Sequence, residues 1–570
     1  MSIEFERSRP TRILFLGVAF AAMAVLLFLR LVYWQVLHRE DVVRYSAEGT
    51  SISTMAWRGT IQDCHGHYLA IPSLVYDLGA SPQVITDRVA VATALAPLIG
   101  VPVPQLLEKL DQRDPVTQKP VSFVPLARGL STAAGQQIKA LGFLGIKLDV
   151  RPGRFYPEGK LAATVLGFVN GEQQSYYGVE EYYDTRLRGT SGFKMANSPQ
   201  VLFDLPVVQA PRNGLDLVLT IDRVVQRAAE RNLEQALREY EAESGVIIVM
   251  EPRTGAILAM AVAPGYDPNA FAQVRSPADY VNTAISAQYE PGSVFKMVTM
   301  AAGLDAGVIS PEDTYYDEGS VVFGERTFQN WDRKAHGLCS MTDVLAHSLN
   351  LGAIYVARKL GTGRFYDAVR RFGFGEPTGI DLAGEIPGTV RMPGSPDWYP
   401  ADLAAHSFGQ GLAVTPIQMT TAVAALANGG LLMRPYVVDR IMDGDRVVWQ
   451  AKPQVVRRVV SEETAKKLTD MLVEALPQET PLGVVPNYAA AGKTGTAQIF
   501  EKGQYADAII ASFAGYLPAD DPRFVVLVKL DRPKREAWGS RAAAPVWRRL
   551  ATELCVYMSI PPDGARLAER

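Results

Sequence analysis

The sequence predicts an α+β protein in which a largely antiparallel sheet is flanked by helices and preceded by an extended α+β module and a single N-terminal transmembrane helix. Two pairs of apolar runs, 245–250 with 256–262 and 509–517 with 524–530, are each joined by turn-forming residues, which is the spacing of β-hairpins. Helical patterns lie between the two pairs, and this favours an antiparallel sheet over a doubly wound parallel one. An uncharged apolar run at 13–29 predicts the membrane helix.

The N-terminal apolar run has the length of a membrane span. Its 17 residues cover roughly 26 Å at about 1.5 Å per residue, and an arginine and two aromatic residues follow, as suits the headgroup region. Small residues at 19–24 lie inside the run, so cleavage there would leave an apolar new terminus. We therefore predict an uncleaved anchor over 13–34 after a cytoplasmic tail over 1–12. Arginines on both sides leave the orientation open by the positive-inside rule.

Past the anchor, the chain divides into two predicted domains. Residues 35–222 mix short apolar runs with turn clusters, which predicts a non-catalytic, pedestal-like α+β domain. A helical stretch at 224–238 opens the second domain, 223–560, which carries both hairpins. A short C-terminal tail over 561–570 completes the chain.

Composition narrows the function without naming it. At 570 residues the chain exceeds one compact core. A net charge of -3 with 21% charged residues offers no basic surface for a nucleic acid, so no nucleic-acid partner is expected. The three cysteines, Cys64, Cys339 and Cys555, form no CxxC pair and are odd in number, so the sequence indicates neither a zinc site nor a complete disulfide framework. We predict no metal and no cofactor.

The first candidate catalytic cluster is an S-x-x-K pattern, Ser293 to Lys296, at the start of an apolar helical run. Residues three apart share a helical face, so Lys296 can lie beside the Ser293 hydroxyl, and Pro291-Gly292 places that serine where backbone N–H groups are unpaired. Alone, the pattern fits a helix N-cap with an exposed lysine equally well. Ser191 also begins an S-x-x-K, but no comparable helix follows it, so we interpret it as a decoy.

The second cluster is Ser348-Leu349-Asn350, after a predicted helix that Ser340 and Asp343 can cap. A serine and a carboxamide two residues apart can face one site when the chain is extended or looped. By itself, the tripeptide fits a polar loop between helices.

The third cluster, Lys493-Thr494-Gly495-Thr496, precedes the second hairpin and is predicted to lie on a strand. A phosphate-binding loop also contains Gly-Lys-Thr, but it requires a glycine where Asn487 stands, so that reading is excluded. Thr494 and Thr496 point the same way from a strand, and Gly495 would leave room for a ligand's backbone. Such a strand suits a peptide carboxylate.

Together and in order, the three clusters resemble the motifs of penicillin-binding proteins and serine β-lactamases. Three upstream segments resemble the pedestal of class B penicillin-binding proteins: Arg58-Gly59-Thr60-Ile61-x-Asp63, Arg154-x-Tyr156-Pro157-x-Gly159 and Gly178-x-Glu180. The resemblance covers nearly the whole chain and implies a penicillin-binding transpeptidase domain over 223–560. It departs at Cys64, where the family usually has arginine.

The resemblance implies a D,D-transpeptidase that cross-links peptidoglycan stem peptides outside the cytoplasmic membrane and is acylated by β-lactams. It assigns Ser293 as the nucleophile that attacks the carbonyl between two D-alanines, and Lys296 as its base. Lys296 can act only when neutral, and burial together with the charge of Lys493 would lower its pKa. Ser348 and Asn350 would relay the proton and orient the reacting groups.

The same resemblance assigns the substrate's terminal carboxylate to Lys493, Thr494 and Thr496, with Gly495 between them. It assigns the oxyanion hole to the backbone N–H groups of Ser293 and Thr496.

Other functions share parts of this pattern. A β-lactamase or D,D-carboxypeptidase has all three clusters but transfers the acyl group to water, and the anchor and long pedestal argue against it. A bifunctional polymerase would need an E-D-x-x-F-x-x-H pattern, which does not precede the serine domain. A binding-only scaffold or sensor would not require intact clusters, and only 12 residues precede the predicted anchor.

The resemblance also implies a partner, because a transpeptidase without a polymerase domain needs glycan strands made by another protein. The expected partner is a membrane glycan polymerase of the shape, elongation, division and sporulation (SEDS) family, contacted through 13–34 and 58–70. Segments that resemble division-type enzymes are 524–533, 542–545, 408–411 and 414–416. By contrast, Gln498, which follows Lys493-Thr494-Gly495-Thr496-Ala497, resembles the residue at this position in elongation-type enzymes. We predict a septal, division-type enzyme, with an elongation-type role as the alternative.

Overall fold

A computed structural model describes residues 9–33, 51–195, 208–501 and 504–568. The chain forms two compact units, one of Met1–Trp57 with Gly189–Gly214 and one of Arg58–Arg188 with Leu215–Arg570. Trp34, the segment 35–50 of the predicted pedestal, residues 1–8 of the predicted cytoplasmic tail and residues 569–570 lie outside the described residues.

The described residues form seventeen α-helices and four short 3-10 turns. The α-helices of the described residues are α1 (Arg9–Val32), α2 (Arg88–Ile99), α3 (Val103–Leu110), α4 (Thr132–Ala140), α5 (Ala163–Leu166), α6 (Gly178–Tyr182), α7 (Asp184–Leu187), α8 (Arg223–Tyr240), α9 (Thr283–Ser286), α10 (Lys296–Asp305), α11 (Met341–Ala346), α12 (Asn350–Arg371), α13 (Pro400–Ser407), α14 (Pro416–Ala427), α15 (Glu462–Glu479), α16 (Gly539–Tyr557) and α17 (Asp563–Ala568).

The strands are mostly short outside two sheets. The described strands are β1 (Ser51–Thr54), β2 (Ile61–Gln62), β3 (Tyr68–Ala80), β4 (Val124–Leu130), β5 (Ile146–Phe155), β6 (Phe168–Val169), β7 (Ser175–Tyr176), β8 (Gly192–Met195), β9 (Val208–Gln209), β10 (Asp216–Leu219), β11 (Ser244–Met250), β12 (Ile257–Ala263), β13 (Thr314–Asp317), β14 (Ser320–Phe323), β15 (Arg326–Gln329), β16 (Gly337–Ser340), β17 (Leu431–Met433), β18 (Val438–Asp443), β19 (Arg446–Gln450), β20 (Val455–Arg458), β21 (Ala491–Glu501), β22 (Gln504–Leu517) and β23 (Phe524–Asp531).

In the smaller unit, helix α1 has the length and composition of a membrane span. Its segment Leu14–Val32 has a mean hydropathy of 2.5, and its apolar side chains are exposed. A surface of this kind is stable in lipid rather than in water. The helix therefore fits the predicted single-pass anchor. The same unit contains a small antiparallel sheet in the order β1-β8-β9.

In the larger unit, both predicted hairpins belong to one antiparallel sheet, as the sequence indicated. The strands hydrogen-bond in the order β12-β11-β23-β22-β21. Alternate residues of β11 enter opposite cores: Val246 and Ile248 pack with the core that contains α10 and α14, whereas Ile247 and Val249 pack with the core that contains α8 and α16. This period of two buries both faces of the sheet. The strand order places β21 at one edge.

The pedestal motifs of the sequence converge on one buried carboxylate. Glu180 is fully buried and accepts hydrogen bonds from Arg58 Nε at 2.7 Å and from Arg154 Nε at 2.6 Å. The Tyr156 hydroxyl approaches the same carboxylate at 3.4 Å. Burial alone would lower the pKa of Arg58, but the charges and hydrogen bonds of Glu180 and Asp184 together outweigh it, and the pKa is raised. Three segments that are far apart in sequence are thus joined by charge.

Candidate active site

Ser293 lies in a 3-10 turn, Gly292–Phe295, that leads directly into α10. Gly292 has a φ of +56°, and a Cβ there would lie 2.8 Å from the carbonyl oxygen of Thr496. Only glycine tolerates both the left-handed backbone and this close approach. The turn is also anchored from behind, because the N–H of Gly292 donates to the carbonyl of Gly409 at 3.0 Å. The sequence predicted a plain helix start here, and the structure differs because this turn closes against β21.

Lys296 is fully buried one turn after the serine. Its ammonium donates to the carbonyl of Ser348 at 2.5 Å, to the Ser348 hydroxyl at 3.2 Å and to Asn350 Oδ1 at 2.9 Å. Oxygen atoms of the second cluster thus surround the Lys296 nitrogen. Within the described part of the chain, the Ser293 hydroxyl forms no hydrogen bond, so the expected direct contact between Ser293 and Lys296 is replaced by contacts to the second cluster.

The second cluster is held between α11 and α12. Ser340 and Asp343 form the predicted capping box at the start of α11. Ser348 follows that helix with a φ of +53°, which few serines adopt. Asn350 is the first residue of α12, and its Nδ2 donates to the carbonyl of Gln329 at 3.1 Å. Both Ser348 and Asn350 are therefore fixed by backbone contacts while their oxygens face Lys296.

The third cluster lies on the edge strand β21, as predicted. Lys493 is fully buried, and its Nζ donates to the Ser348 hydroxyl at 3.1 Å. Ser348 therefore contacts both lysines through one oxygen. All three sequence clusters meet at this hydroxyl.

The threonines and the glycine of β21 have separate neighbours. The Thr496 hydroxyl accepts a hydrogen bond from the N–H of Gly539 at 3.0 Å. A Cβ at Gly495 would lie 2.4 Å from Ser512 Oγ and 2.8 Å from the carbonyl oxygen of Pro291. The space on the Cβ side of Gly495 is thus filled by protein. Gly495 is needed so that the turn carrying Ser293 can pack on the strand.

Glu479, the last residue of α15, was not found by sequence reasoning. One of its carboxylate oxygens contacts both Lys493 Nζ and the Thr494 hydroxyl. The other oxygen, Oε2, is buried and has no hydrogen-bond partner among the described residues. A negative charge at a helix C-terminus is unfavourable, because that end of the helix dipole is itself negative. The position of Glu479 at the end of α15 was therefore the one sequence signal that a positive group lies nearby.

Burial and charge both act on the two lysines. The pKa of Lys296 lies well below its ordinary value, first because burial disfavours the charged form and second because Lys493 is close. The charge of Glu479 acts in the opposite direction on Lys296. Burial also lowers the pKa of Lys493, although Glu479 opposes that shift. Both lysines therefore lose their protons more readily than free lysines do, and the effect is larger for Lys296.

A polar cavity of about 790 Å³ opens beside the N-terminal end of the serine turn. Glu290 lines it and accepts hydrogen bonds from the N–H of Gly411 at 3.0 Å and from the Tyr505 hydroxyl at 3.2 Å. Burial raises the pKa of Glu290. The ion pair of Arg391 with Asp402, 2.8 Å between Nη2 and Oδ1, forms part of the same wall. The cavity can hold an extended ligand beside Glu290, three residues before Ser293.

Comparison with known proteins gives the family of both parts of the chain. Residues 245–552 match the penicillin-binding protein transpeptidase domain, and residues 53–219 match the penicillin-binding protein dimerisation domain. These ranges lie within the boundaries predicted from the sequence, 223–560 and 35–222.

The match to similar proteins extends over most of this chain and most of theirs. Stage V sporulation protein D of Bacillus subtilis is 31% identical over 523 residues, 90% of this chain and 80% of that protein. The peptidoglycan D,D-transpeptidase FtsI homolog of Mesostigma viride is 30% identical and covers 97% of each chain. A crystal structure of penicillin-binding protein 3 from Mycobacterium tuberculosis with aztreonam superposes with a TM-score of 0.69 at 27% identity, covering 90% of this chain and 98% of that one.

The fold and the clustered lysines and serines define an active-site-serine acyltransferase of the penicillin-recognising type. Within that class, the chain belongs to the penicillin-binding proteins, and its paired dimerisation and transpeptidase domains are those of class B members.

Proposed function

We propose that this chain is a peptidoglycan D,D-transpeptidase that works through a serine acyl-enzyme and is acylated by β-lactams. The observation that carries this proposal is the Ser348 hydroxyl, which hydrogen-bonds both Lys296 and Lys493 beside the turn of Ser293. Relatives whose names describe peptidoglycan D,D-transpeptidases support the substrate class.

In the acylation step, the Ser293 oxygen attacks the carbonyl carbon between the two terminal D-alanines. Neutral Lys296 accepts the serine proton, and Ser348 carries a proton onward to the leaving amine of D-alanine. Asn350 holds Lys296 through Oδ1. The C–N bond breaks, D-alanine leaves with its amine protonated, and an ester to Ser293 remains.

Two negative charges have to be stabilised during the reaction, the oxyanion and the substrate's terminal carboxylate. The backbone N–H groups of Ser293 and Thr496 are proposed to bind the oxyanion, which the close packing of the serine turn on β21 supports. Lys493, Thr494 and Thr496 are proposed to hold the terminal carboxylate. The amine of a second stem peptide then attacks the ester and regenerates Ser293, which completes the cross-link.

The cavity beside the serine supports a peptide donor. Its volume of about 790 Å³ and its polar wall around Glu290 and Arg391 suit a stem peptide better than an apolar ligand. A bound peptide would extend from Ser293 into this cavity.

The proposed location is the cytoplasmic membrane, with α1 as a single-pass anchor and the catalytic unit outside the cytoplasm. The proposed partner is a SEDS-family glycan polymerase contacted through 13–34 and 58–70. The proposed role is septal. Support for that role comes from the division-type segments at 408–411 and 524–533, the first of which holds the serine turn through Gly409.

Covalent labelling tests the enzymatic proposal. Wild type should be labelled by a fluorescent penicillin, and mass spectrometry should locate the adduct on Ser293. Ser293→Ala should lose labelling, whereas Ser191→Ala, the matched change at the decoy S-x-x-K, should keep it. An adduct on any other residue would disprove the assignment of the nucleophile.

The lifetime of the adduct separates a transpeptidase from a β-lactamase. A transpeptidase should hold the penicilloyl group for many minutes and should join a D-Ala-D-Ala peptide to an added amine acceptor. Release within seconds, with water as the preferred acceptor, would instead identify a hydrolase.

Depletion in the host tests the cellular role. Loss of a septal enzyme should produce filaments, and Ser293→Ala should fail to rescue them. Round or swollen cells with normal septa would assign the protein to elongation.

A further inference from the structure

Away from the catalytic cleft, three side chains with metal-binding atoms converge in the larger unit. Cys64 Sγ lies 3.2 Å from His65 Nδ1, which lies 3.7 Å from Asp222 Oδ2. All three atoms lie within 4.8 Å of one another. Thiolate sulfur, imidazole nitrogen and carboxylate oxygen are the usual donors to zinc, and at Zn–ligand distances of about 2.0–2.3 Å tetrahedral donors lie roughly 3.3–3.6 Å apart. The two measured distances, 3.2 and 3.7 Å, are already close to that spacing, and the third pair of donors lies within 4.8 Å.

We propose that Cys64, His65 and Asp222 form a binding site for a zinc-class divalent cation, with solvent in the fourth position. The sequence alone predicts no such site, because a CxxC search tests local spacing and Asp222 joins the other two residues only through the fold. The site therefore goes beyond the acyl transfer chemistry proposed above.

The protein holds two of the ligands in place through its backbone. The N–H of Cys64 donates to the carbonyl of Ile221 at 3.0 Å, which ties the loop between β2 and β3 to the segment that carries Asp222. Asp63 Oδ1 accepts the N–H of His65 at 2.9 Å and tightens the same loop. A site that is organised before the ion arrives costs less conformational entropy on binding.

The two carboxylate oxygens of Asp222 have different contacts, one with helix α8 and the other with the proposed site. Its Oδ1 caps α8 by accepting the N–H of Val224 at 2.8 Å. Its Oδ2 faces His65 and accepts the Tyr557 hydroxyl at 2.9 Å. A hydrogen bond of this kind orients a carboxylate ligand and is a common outer contact of metal sites.

The location allows a bound ion to join two parts of the fold. Cys64 follows β2 within the region that matches the dimerisation domain, and Asp222 starts the first helix after that region. An ion bound to both would clamp the loop to α8. Cys64 is the accessible thiol of the described chain, since Cys339 and Cys555 are buried. Binding involves no redox change: a Zn–S bond replaces the S–H bond, and the proton passes to the buffer.

Metal titration of the full-length chain tests the proposal. Untagged protein in detergent, stripped with a chelator, should bind one equivalent of Zn²⁺, gain thermal stability and protect one thiol from a chromogenic reagent. Added Co²⁺ should give a thiolate-to-cobalt charge-transfer band, because sulfur is a ligand.

Variants separate this site from adventitious binding. Cys64→Ser should abolish the cobalt band, and Asp222→Asn, which keeps an N-cap for α8, should weaken affinity at least about tenfold. Cys339→Ser is the matched control and should keep the band. Penicillin labelling of each variant shows that it is folded. Absence of stoichiometric binding, or equal binding by wild type and Cys64→Ser, would overturn the proposal.

Discussion

Ser348 has a backbone conformation that is costly for a serine, and the site explains why it persists. Its φ of +53° lies in the left-handed region, which costs of the order of 1 kcal/mol for a residue with a Cβ. In this conformation, its carbonyl and hydroxyl both face Lys296, and the hydroxyl also reaches Lys493. The strain is therefore located at the residue that links the two lysines.

Glu479 occupies two of the groups that are proposed to hold the substrate carboxylate. It contacts Lys493 and Thr494, and one of its oxygens is buried without a partner among the described residues. An incoming anionic ligand has to displace it. We therefore expect Glu479→Gln to raise the second-order rate constant of penicillin acylation by about tenfold, since a charge-assisted contact is worth roughly 1.4 kcal/mol or more. Stopped-flow labelling measures that rate.

The control for this prediction is on the same helix. Glu474 is exposed on α15, so Glu474→Gln should leave the acylation rate unchanged. A lower rate in Glu479→Gln would show that the carboxylate orients Lys493 for the substrate instead of competing with it.

The pKa of Lys296 predicts the pH dependence of acylation. An ordinary lysine would be only about 0.04% neutral at pH 7, whereas burial and the charge of Lys493 lower the pKa of Lys296 well below its usual value. The neutral form is the base, so the rate should rise with pH through that lowered pKa and level off above it. Because Glu479 opposes the shift, Glu479→Gln should move this acid limb to lower pH. A limb that stays in place in the variant would contradict the electrostatic coupling.

At the residue scale, motifs predicted the members of the site but not all of their contacts. Ser348, Asn350 and Lys493 meet Lys296 or each other as their spacing and the family resemblance implied. The packing of Pro291 and Ser512 around Gly495 was not predicted, because only the fold brings these residues together. Glu479 was missed since no local pattern relates the end of a helix to a strand that follows it.

At the scale of elements, buried charge joins the segment before β2 to β5 and α6. Arg58, Arg154 and Glu180 come from these three parts of the pedestal, and their side chains are almost fully buried. Removing one partner of a buried pair leaves the other charges uncompensated, which costs more than the pair itself contributes. The cluster therefore determines how these segments meet.

Glu180→Ala should lower the free energy of unfolding by about 3–5 kcal/mol, because two buried arginines lose their counter-charge. Chemical denaturation and thermal melting of the purified chain measure the loss. Glu172→Ala changes an exposed glutamate of the same region and should have almost no effect. Equal stability of both variants would mean that water or Asp184, which also contacts Arg58, compensates the arginines.

For the whole molecule, the sequence predicted the catalytic sheet well. Both hairpins are local, and each of their strands, β11, β12, β22 and β23, contains one of the apolar runs. It did not predict how the pedestal divides. Arg58–Arg188 forms one compact unit with Leu215–Arg570, whereas Gly189–Gly214 belongs to the other unit. Such a division depends on contacts between distant segments, which periodicity does not report.

This division makes a prediction about the anchor. Every proposed catalytic and carboxylate-binding residue, from Ser293 to Thr496, lies in the larger unit, whereas α1 lies in the smaller one. A chain that begins at residue 51 should therefore be soluble without detergent and should react with penicillin at the wild-type rate, within about twofold. In cells it should fail to replace the full-length protein, since exported enzyme without α1 is not held at the membrane where its proposed polymerase partner would work. Replacing α1 by an unrelated single-pass helix distinguishes two reasons for that failure: rescue would show that anchoring alone is needed, and continued failure would show that the surface of 13–34 is itself recognised. Loss of penicillin labelling in the truncated chain would contradict the independence of the catalytic unit.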